Sequence, residues 1–223
     1  MEFDLLDPLI IAHRNLTEKK LKLSWKVSRV KEKKSFKVIQ FSPARSGSTL
    51  VFNAIKYILP NTKIIKTHTM SDEFCNLPII TTKRNIFDCL VSLANAHGQE
   101  VSDENIAHFA NILRKSGHSN NKINFTNKLE LEYNIFYKNY DYLFKQISNF
   151  FNVHYTRNQI ETFEREFNVK KIRSKTQNHV FEDYDKATQL HGRHVSSNLG
   201  EPGAGCSLTD AQKQIVLKVV SGK

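Results

Sequence analysis

The apolar residues of this chain fall into short unbroken runs and longer stretches of helical repeat. Phe36, Val38, Ile39 and Phe41 form a β-branched and aromatic run that predicts a buried strand, and residues 42–47 read as a turn. Leu50, Val51, Ala54, Ile55, Ile58 and Leu59 then recur at helical spacing until Pro60-Asn61 ends the helix. Short strands follow over residues 63–66 and 78–83. A helix over about 86–97 would bury Phe87, Leu90, Val91 and Ala94, and Ile106, Phe109, Ala110 and Leu113 predict another. Residues 116–127 read as a polar loop. Leu129, Leu131 and Tyr133 alternate as in a strand, and Tyr140, Leu143, Phe144, Ile147 and Phe151 mark an amphipathic helix. Residues 190–207 hold four of the eight glycines and read as a long functional loop. Thr209-Asp210-Ala211-Gln212 has the form of a capping box, opening a last helix with Ile215, Val216 and Val219 on its apolar face.

Strands alternating with helices predict an α/β domain, a mostly parallel central sheet flanked by helices on both faces. At 223 residues there is room for one such domain. It is expected over residues 37–223, after a basic lead-in over residues 1–36 that ends in Lys31-Glu32-Lys33-Lys34.

Charge narrows the class of partner. With 33 basic and 22 acidic residues the net charge is +11, which favours an anion: nucleic acid, a membrane surface, a phosphate-rich cofactor or an acidic glycan. Residues 1–11 have no basic n-region, and Asp4, Asp7 and Pro8 interrupt their apolar positions, so no signal peptide is read. No apolar run is long enough to span a bilayer. Cys75, Cys89 and Cys206 are odd in number and widely spaced, which suggests neither a disulfide framework nor a zinc site. A cytoplasmic protein is expected.

The strongest local signal is Phe41-Ser42-Pro43-Ala44-Arg45-Ser46-Gly47-Ser48-Thr49, set between a strand and a helix. Backbone N–H groups at a helix start, with the helix dipole, attract an anion into such a turn. Arg45 adds a planar donor fork, Ser46, Ser48 and Thr49 add hydroxyls, and Gly47 permits a backbone path closed to larger residues. The same residues also suit a plain, well-capped turn. GxxxxGK[ST] is absent, and neither of the next two strands ends in an acid that could hold magnesium, which opposes a nucleotide triphosphatase. The third strand ends instead in Lys83-Arg84. Arg84, with Ser92 eight residues on, gives R-x3-D-x3-S; the pair can grip a second phosphate, or Arg84 can simply pair with Asp88.

Together these motifs resemble the sulfotransferases that use 3′-phosphoadenosine 5′-phosphosulfate (PAPS). Lys66-Thr67-His68 between them resembles the family's K-T-H segment. Leu131-Glu132-Tyr133-Asn134 resembles its strand ending in Tyr-Glu, with Asn134 in place of Glu. His191-Gly192-Arg193-His194 and Gly200-Glu201-Pro202-Gly203 resemble its C-terminal cofactor loop, with Gly205-Cys206 where Gly-Asp-Trp is common. The resemblance implies a P-loop-like sulfotransferase architecture with PAPS as donor, 3′-phosphoadenosine 5′-phosphate (PAP) as product, and no metal. It implies that Arg45 contacts the transferred sulfuryl while Ser46, Gly47, Ser48 and Thr49 cradle the 5′-phosphosulfate. Arg84 and Ser92 would bind the 3′-phosphate with Arg193 and His194, and Tyr133 would lie against adenine. His68 would be the general base and Lys66 an accessory cation.

The implied acceptor carries a hydroxyl or amine, and an open site would suit a glycan or peptide. Two other classes compete. A P-loop kinase or hydrolase would need magnesium, and a basic nucleic-acid-binding module rests on charge alone, with none of the motifs such modules carry. Neither is the expected reading, and no nucleic-acid partner is expected.

Overall fold

The computed structural model describes residues 36–69, 74, 76–118, 125–180 and 183–222. The basic lead-in expected over residues 1–36 lies outside these, apart from Phe36 at the start of the first strand. In β1 (Phe36–Phe41) the neighbours Val38 and Ile39 are both fully buried, as in a strand covered on both faces. The sheet order is β2 (Lys63–Thr67), β1, β3 (Ile79–Lys83), β4 (Lys128–Glu132). β3 runs parallel to β1, with Ile39 opposite Ile79, and parallel to β4, with Thr82 opposite Leu131. The α/β architecture expected from the sequence is the one observed.

From its centre the chain winds outward in two directions. α1 (Ser48–Ile58) joins β1 to β2, whereas α2 (Ile86–Ala96) and α3 (Ile106–Leu113) lie between β3 and β4. Right-handed crossovers toward opposite edges put the two groups of helices on opposite faces. After β4 come α4 (Tyr133–Phe136), α5 (Tyr140–Phe151), α6 (Arg157–Phe167), α7 (Val169–Thr176) and, last, α8 (Asp210–Ser221). One core joins Val51, Ala54 and Ile55 of α1 to Val38, Ile80 and Leu131 of the sheet and to α4–α7. The other joins Cys89, Leu90 and Leu93 of α2 to α3, Leu208 and Val216. The winding reverses between β1 and β3, which makes the carboxyl ends of these strands the topological switch point of the sheet. Open α/β sheets bind their ligands there.

Several details differ from the pattern-based expectation. The strand expected through Tyr133 stops at Glu132, and Tyr133 opens α4, its carbonyl accepting from Tyr137 N–H. The turn carries its ring inward beneath the β1–α1 loop, which a straight strand would bypass. On α8 the expected capping box forms, Thr209 with Gln212. Of its expected apolar face, however, Ile215 is 36% exposed while Val216 is fully buried. Residues Val216, Val219 and Val220 make the contact with the second core, and Ile215 lies about 100° round the helix from Val216.

α6 and α7 occupy a stretch to which the sequence pattern assigns no element. Their buried apolar residues are sparse, Ile160, Phe163 and Phe167 in one and Ile172 in the other, within strongly charged runs. Tertiary packing makes up for the weak pattern. Phe163 is fully buried, its ring centre 5.2 Å from Tyr57 and Phe144, 5.4 Å from Tyr140 and 4.9 Å from Phe167. Thr156 caps α6 through a full capping box with Gln159. Phe163→Ala is therefore expected to destabilise the domain by about 3–5 kcal/mol, read as a lowered denaturant midpoint at unchanged slope.

Candidate active site

The β1–α1 loop is built around two left-handed residues, Arg45 (φ 64°) and Gly47 (φ 89°). Gly47 caps α1 without a side-chain bond, so the first-turn N–H groups of that helix have no intrahelical acceptor. A side chain at Gly47 would collide with the Tyr133 ring at 2.7 Å and with Phe136 at 2.9 Å.

Beneath the loop lies a buried polar network. Ser42 Oγ accepts from Gln40 Nε2 (2.6 Å) and from Thr82 N–H (3.1 Å). Ser46 Oγ donates to Pro43 O (2.5 Å) and lies 2.6 Å from Thr82 Oγ1. Having one proton, it must accept from Thr82. The Ser46 hydroxyl thus holds the loop to β3, and the sequence offered no sign of the parts played by Gln40 and Thr82.

The cations of the separate motifs converge above this network. Arg45 donates from Nε and Nη2 to Ser92 Oγ (3.2 and 3.0 Å) and from Nη2 to His194 O (3.1 Å). Arg84 reaches back from the end of β3, giving Nη1 to Arg45 O (3.1 Å) and Nη2 to Gly200 O (3.1 Å). It lies 4.1 Å over the Tyr133 ring, a cation–π contact. Tyr133 gives its hydroxyl to Gly200 O at 2.7 Å, and burial pushes its pKa up to about 12 although the Arg84 charge pulls the other way. Lys66 donates to Thr49 Oγ1 at 2.7 Å. Two buried nitrogens of this group, Arg84 Nε and His194 Nδ1, have no hydrogen-bond partner among the described residues.

Asp88 does not pair with Arg84. Its carboxylate accepts from Gly203 N–H (2.9 Å) and Gly205 N–H (2.7 Å), pinning the start of a short 3₁₀ turn (Ala204–Ser207) to the first turn of α2. Buried Cys89 beside it has its thiol pushed up to about 12 by burial, which leaves it an inert core residue.

His68 stands at the carboxyl end of β2, with Nδ1 2.6 Å from Ser42 O. A carbonyl only accepts, so Nδ1 carries a proton, and in the neutral ring the lone pair lies on Nε2. A turn unnoticed in the sequence packs against this corner. Ser116 O accepts from Ala44 N–H, and His118 Nε2–H donates to Ala44 O. A side chain at Gly117 would lie 2.6 Å from His68 O. Burial holds the His118 pKa below its ordinary value, partly opposed by the Ala44 bond.

The loop expected over residues 190–207 is threaded with side-chain donors. Besides Arg45 and Arg84, Tyr137 donates to Leu199 O (3.0 Å) and Arg173 to Ser196 O (2.9 Å) and Ser197 O (2.5 Å). Its start, Leu190–His191, pairs antiparallel with Tyr184–Asp185. Arg193 does not join the group: it is exposed and its guanidinium lies beside Gly98, past the end of α2. Among the described residues no three His, Cys, Asp or Glu side chains cluster as metal ligands, and no helix is long and apolar enough to cross a membrane.

No protein-family model matches this chain, and no curated sequence matches it significantly. Solved structures do. Mouse sulfotransferase SULT7A1 complexed with PAP superposes with a TM-score of 0.56 over 85% of each chain, at 15% identity. Retinol dehydratase in complex with androsterone and the inactive cofactor PAP superposes with a TM-score of 0.52, covering 83% of this chain and 80% of its own at 13% identity. The fold is that of the sulfotransferases. Identity this low leaves the chemistry to the side chains of this chain.

Gly47→Ala tests the loop. It forces a Cβ into the Tyr133 ring from a left-handed backbone, and is expected to cost about 1–3 kcal/mol of stability, measured by denaturant unfolding.

Proposed function

We propose that this chain is a sulfotransferase that moves a sulfuryl group from PAPS to an acceptor hydroxyl or amine. The observation that carries the reading is the joining of motifs distant in sequence: Arg45 bonded to Ser92, and Arg84 bonded to the Arg45 carbonyl, at the switch point of a sulfotransferase-like sheet. Both structural neighbours were crystallised with PAP.

The residues present fit a nucleotide carrying two separate phosphates. Arg45, Lys66 and the α1 N-terminus form one cationic end; Arg84 and Ser92, eight residues apart across the β3–α2 turn, form the other. Tyr133 lies under the β1–α1 loop, with Arg84 over its ring and its hydroxyl on Gly200 O. In the free protein neutral carbonyls occupy the arginine forks. Phosphate oxygens make stronger partners, because an anion adds charge–charge attraction and can take both arms of the planar guanidinium at once. Ser46 supports the loop from below, and its neighbours Gly47, Ser48 and Thr49 offer backbone N–H groups. His194 belongs to the same donor set, and Arg193 can join it only by leaving Gly98.

PAPS supplies the sulfuryl group: its sulfur forms a bond to the acceptor oxygen or nitrogen as the bond to the 5′-phosphate oxygen breaks, releasing PAP. His68, fixed by Ser42 O with its lone pair on Nε2, takes the acceptor proton. Arg45 and Lys66 stabilise the negative charge that grows on the leaving phosphate. His68 is half-buried at the end of β2, and the acceptor class proposed for it is a glycan or peptide.

Calorimetric titration with PAP in the absence of magnesium tests the donor site. Micromolar PAP binding is expected, with AMP and ATP much weaker, and Arg84→Ala should weaken PAP about 10- to 100-fold while leaving AMP little changed. Equal or better binding of ATP that requires magnesium would overturn the reading. His68→Asn preserves a donor to Ser42 O but removes the base. It should lower turnover about 10²–10⁴-fold with PAP affinity held within a few-fold.

A further inference from the structure

His194 is the one imidazole of the site with an unsatisfied, buried ring nitrogen among the described residues. Its ring meets that of His191 edge-on at 4.4 Å, but His191 gives Nδ1–H to Gly192 O and does not serve it. Its own carbonyl is held by the Arg45 fork, which anchors the residue over the β1–α1 loop. His194 Nδ1 has no partner. In either tautomer such a nitrogen is costly in the interior, as a bare lone pair or an unused N–H. A ligand oxygen satisfies it only if it arrives beside Arg45.

We infer that His194 is an oxyanion-binding residue of the donor site that engages the nucleotide as an imidazolium, so that nucleotide binding takes up a proton there. This rests on the donor-site reading above. Among the described residues, the charged or titratable groups facing the ring argue the same way. His191 from its own strand segment, Arg45 from the β1–α1 loop and Lys66 from the end of β2 all oppose a further positive charge, and burial opposes it more strongly still. The free protein therefore holds His194 neutral, well below its ordinary pKa of 6.5. A phosphate or sulfate group set beside Arg45 and Lys66 reverses the sign of the local field, and the imidazolium then gains a charge-assisted bond from Nδ1–H.

The linkage has a definite sign. Between the depressed pKa of the free state and the raised pKa of the bound state, the complex binds more protons than the free protein. Affinity therefore strengthens as pH falls, by up to about tenfold per pH unit. Calorimetric titration of the whole chain with PAP at about pH 7, in buffers of differing ionisation enthalpy, counts the protons taken up. The wild type should take up about one proton more than His194→Asn or His194→Gln. Equal proton counts with PAP still bound would overturn this inference and leave the donor site standing, whereas no PAP binding by the wild type would overturn both. Should both variants fail to fold, the His194 Cε1–H resonance of the wild type decides, followed by NMR across the pH range with and without PAP. A higher titration midpoint with PAP supports the inference, and an unmoved one defeats it.

Discussion

The site depends on an arginine held at both ends. Arg45 sits in the left-handed region, where a residue with a side chain loses about 1–2 kcal/mol. That backbone turn separates its two functions. Its carbonyl faces β3 and receives Arg84, while its guanidinium crosses to Ser92 and His194 O. Hydrogen bonds to charged groups contribute about 1.5–3 kcal/mol each, enough to offset the strained turn. A single residue thereby links the β1–α1 loop, the β3–α2 turn and the C-terminal loop.

The rest of the site answers a second constraint, that a long loop over a cationic crevice has no ladder of its own to satisfy its backbone. Side chains do so instead. Arginine and tyrosine donors take the carbonyls of His194, Ser196, Ser197, Leu199 and Gly200, and Asp88 takes the amides of Gly203 and Gly205. This division keeps the one buried carboxylate of the R-x3-D-x3-S motif turned toward amides and away from the arginines. Had Asp88 paired with Arg84, the cation would be neutralised before any ligand arrived.

What could be read from the sequence follows from how local each signal is. The strand–loop–helix at residues 36–58 and the R-x3-D-x3-S segment carry their geometry within a dozen residues, so the pattern revealed them. The Lys66–Thr49 bond and the convergence of Arg84 on Arg45 depend on strand order, which periodicity does not give. Gln40, Thr82 and the Ser116–His118 turn left no trace, because an interior polar residue resembles a surface one until its partner is known. Tyr133 misled in a different way. Its alternation with Leu129 and Leu131 was real, but the need to bury its ring under Gly47 ended the strand one residue earlier.

Two histidines show how differently the same side chain can be set. His68 spends Nδ1 on Ser42 O, and that bond fixes the tautomer of the neutral ring. His194 meets the His191 ring edge-on but leaves Nδ1 without a hydrogen-bond partner among the described residues, and burial, His191, Arg45 and Lys66 all oppose a charge on it. In the proposed reaction His68 is the group that takes the acceptor proton, and His194 the group whose charge appears with the bound anion. Both follow from where a carbonyl happens to stand: against Nδ1 of His68, and, for His194, on its own backbone and already held by Arg45.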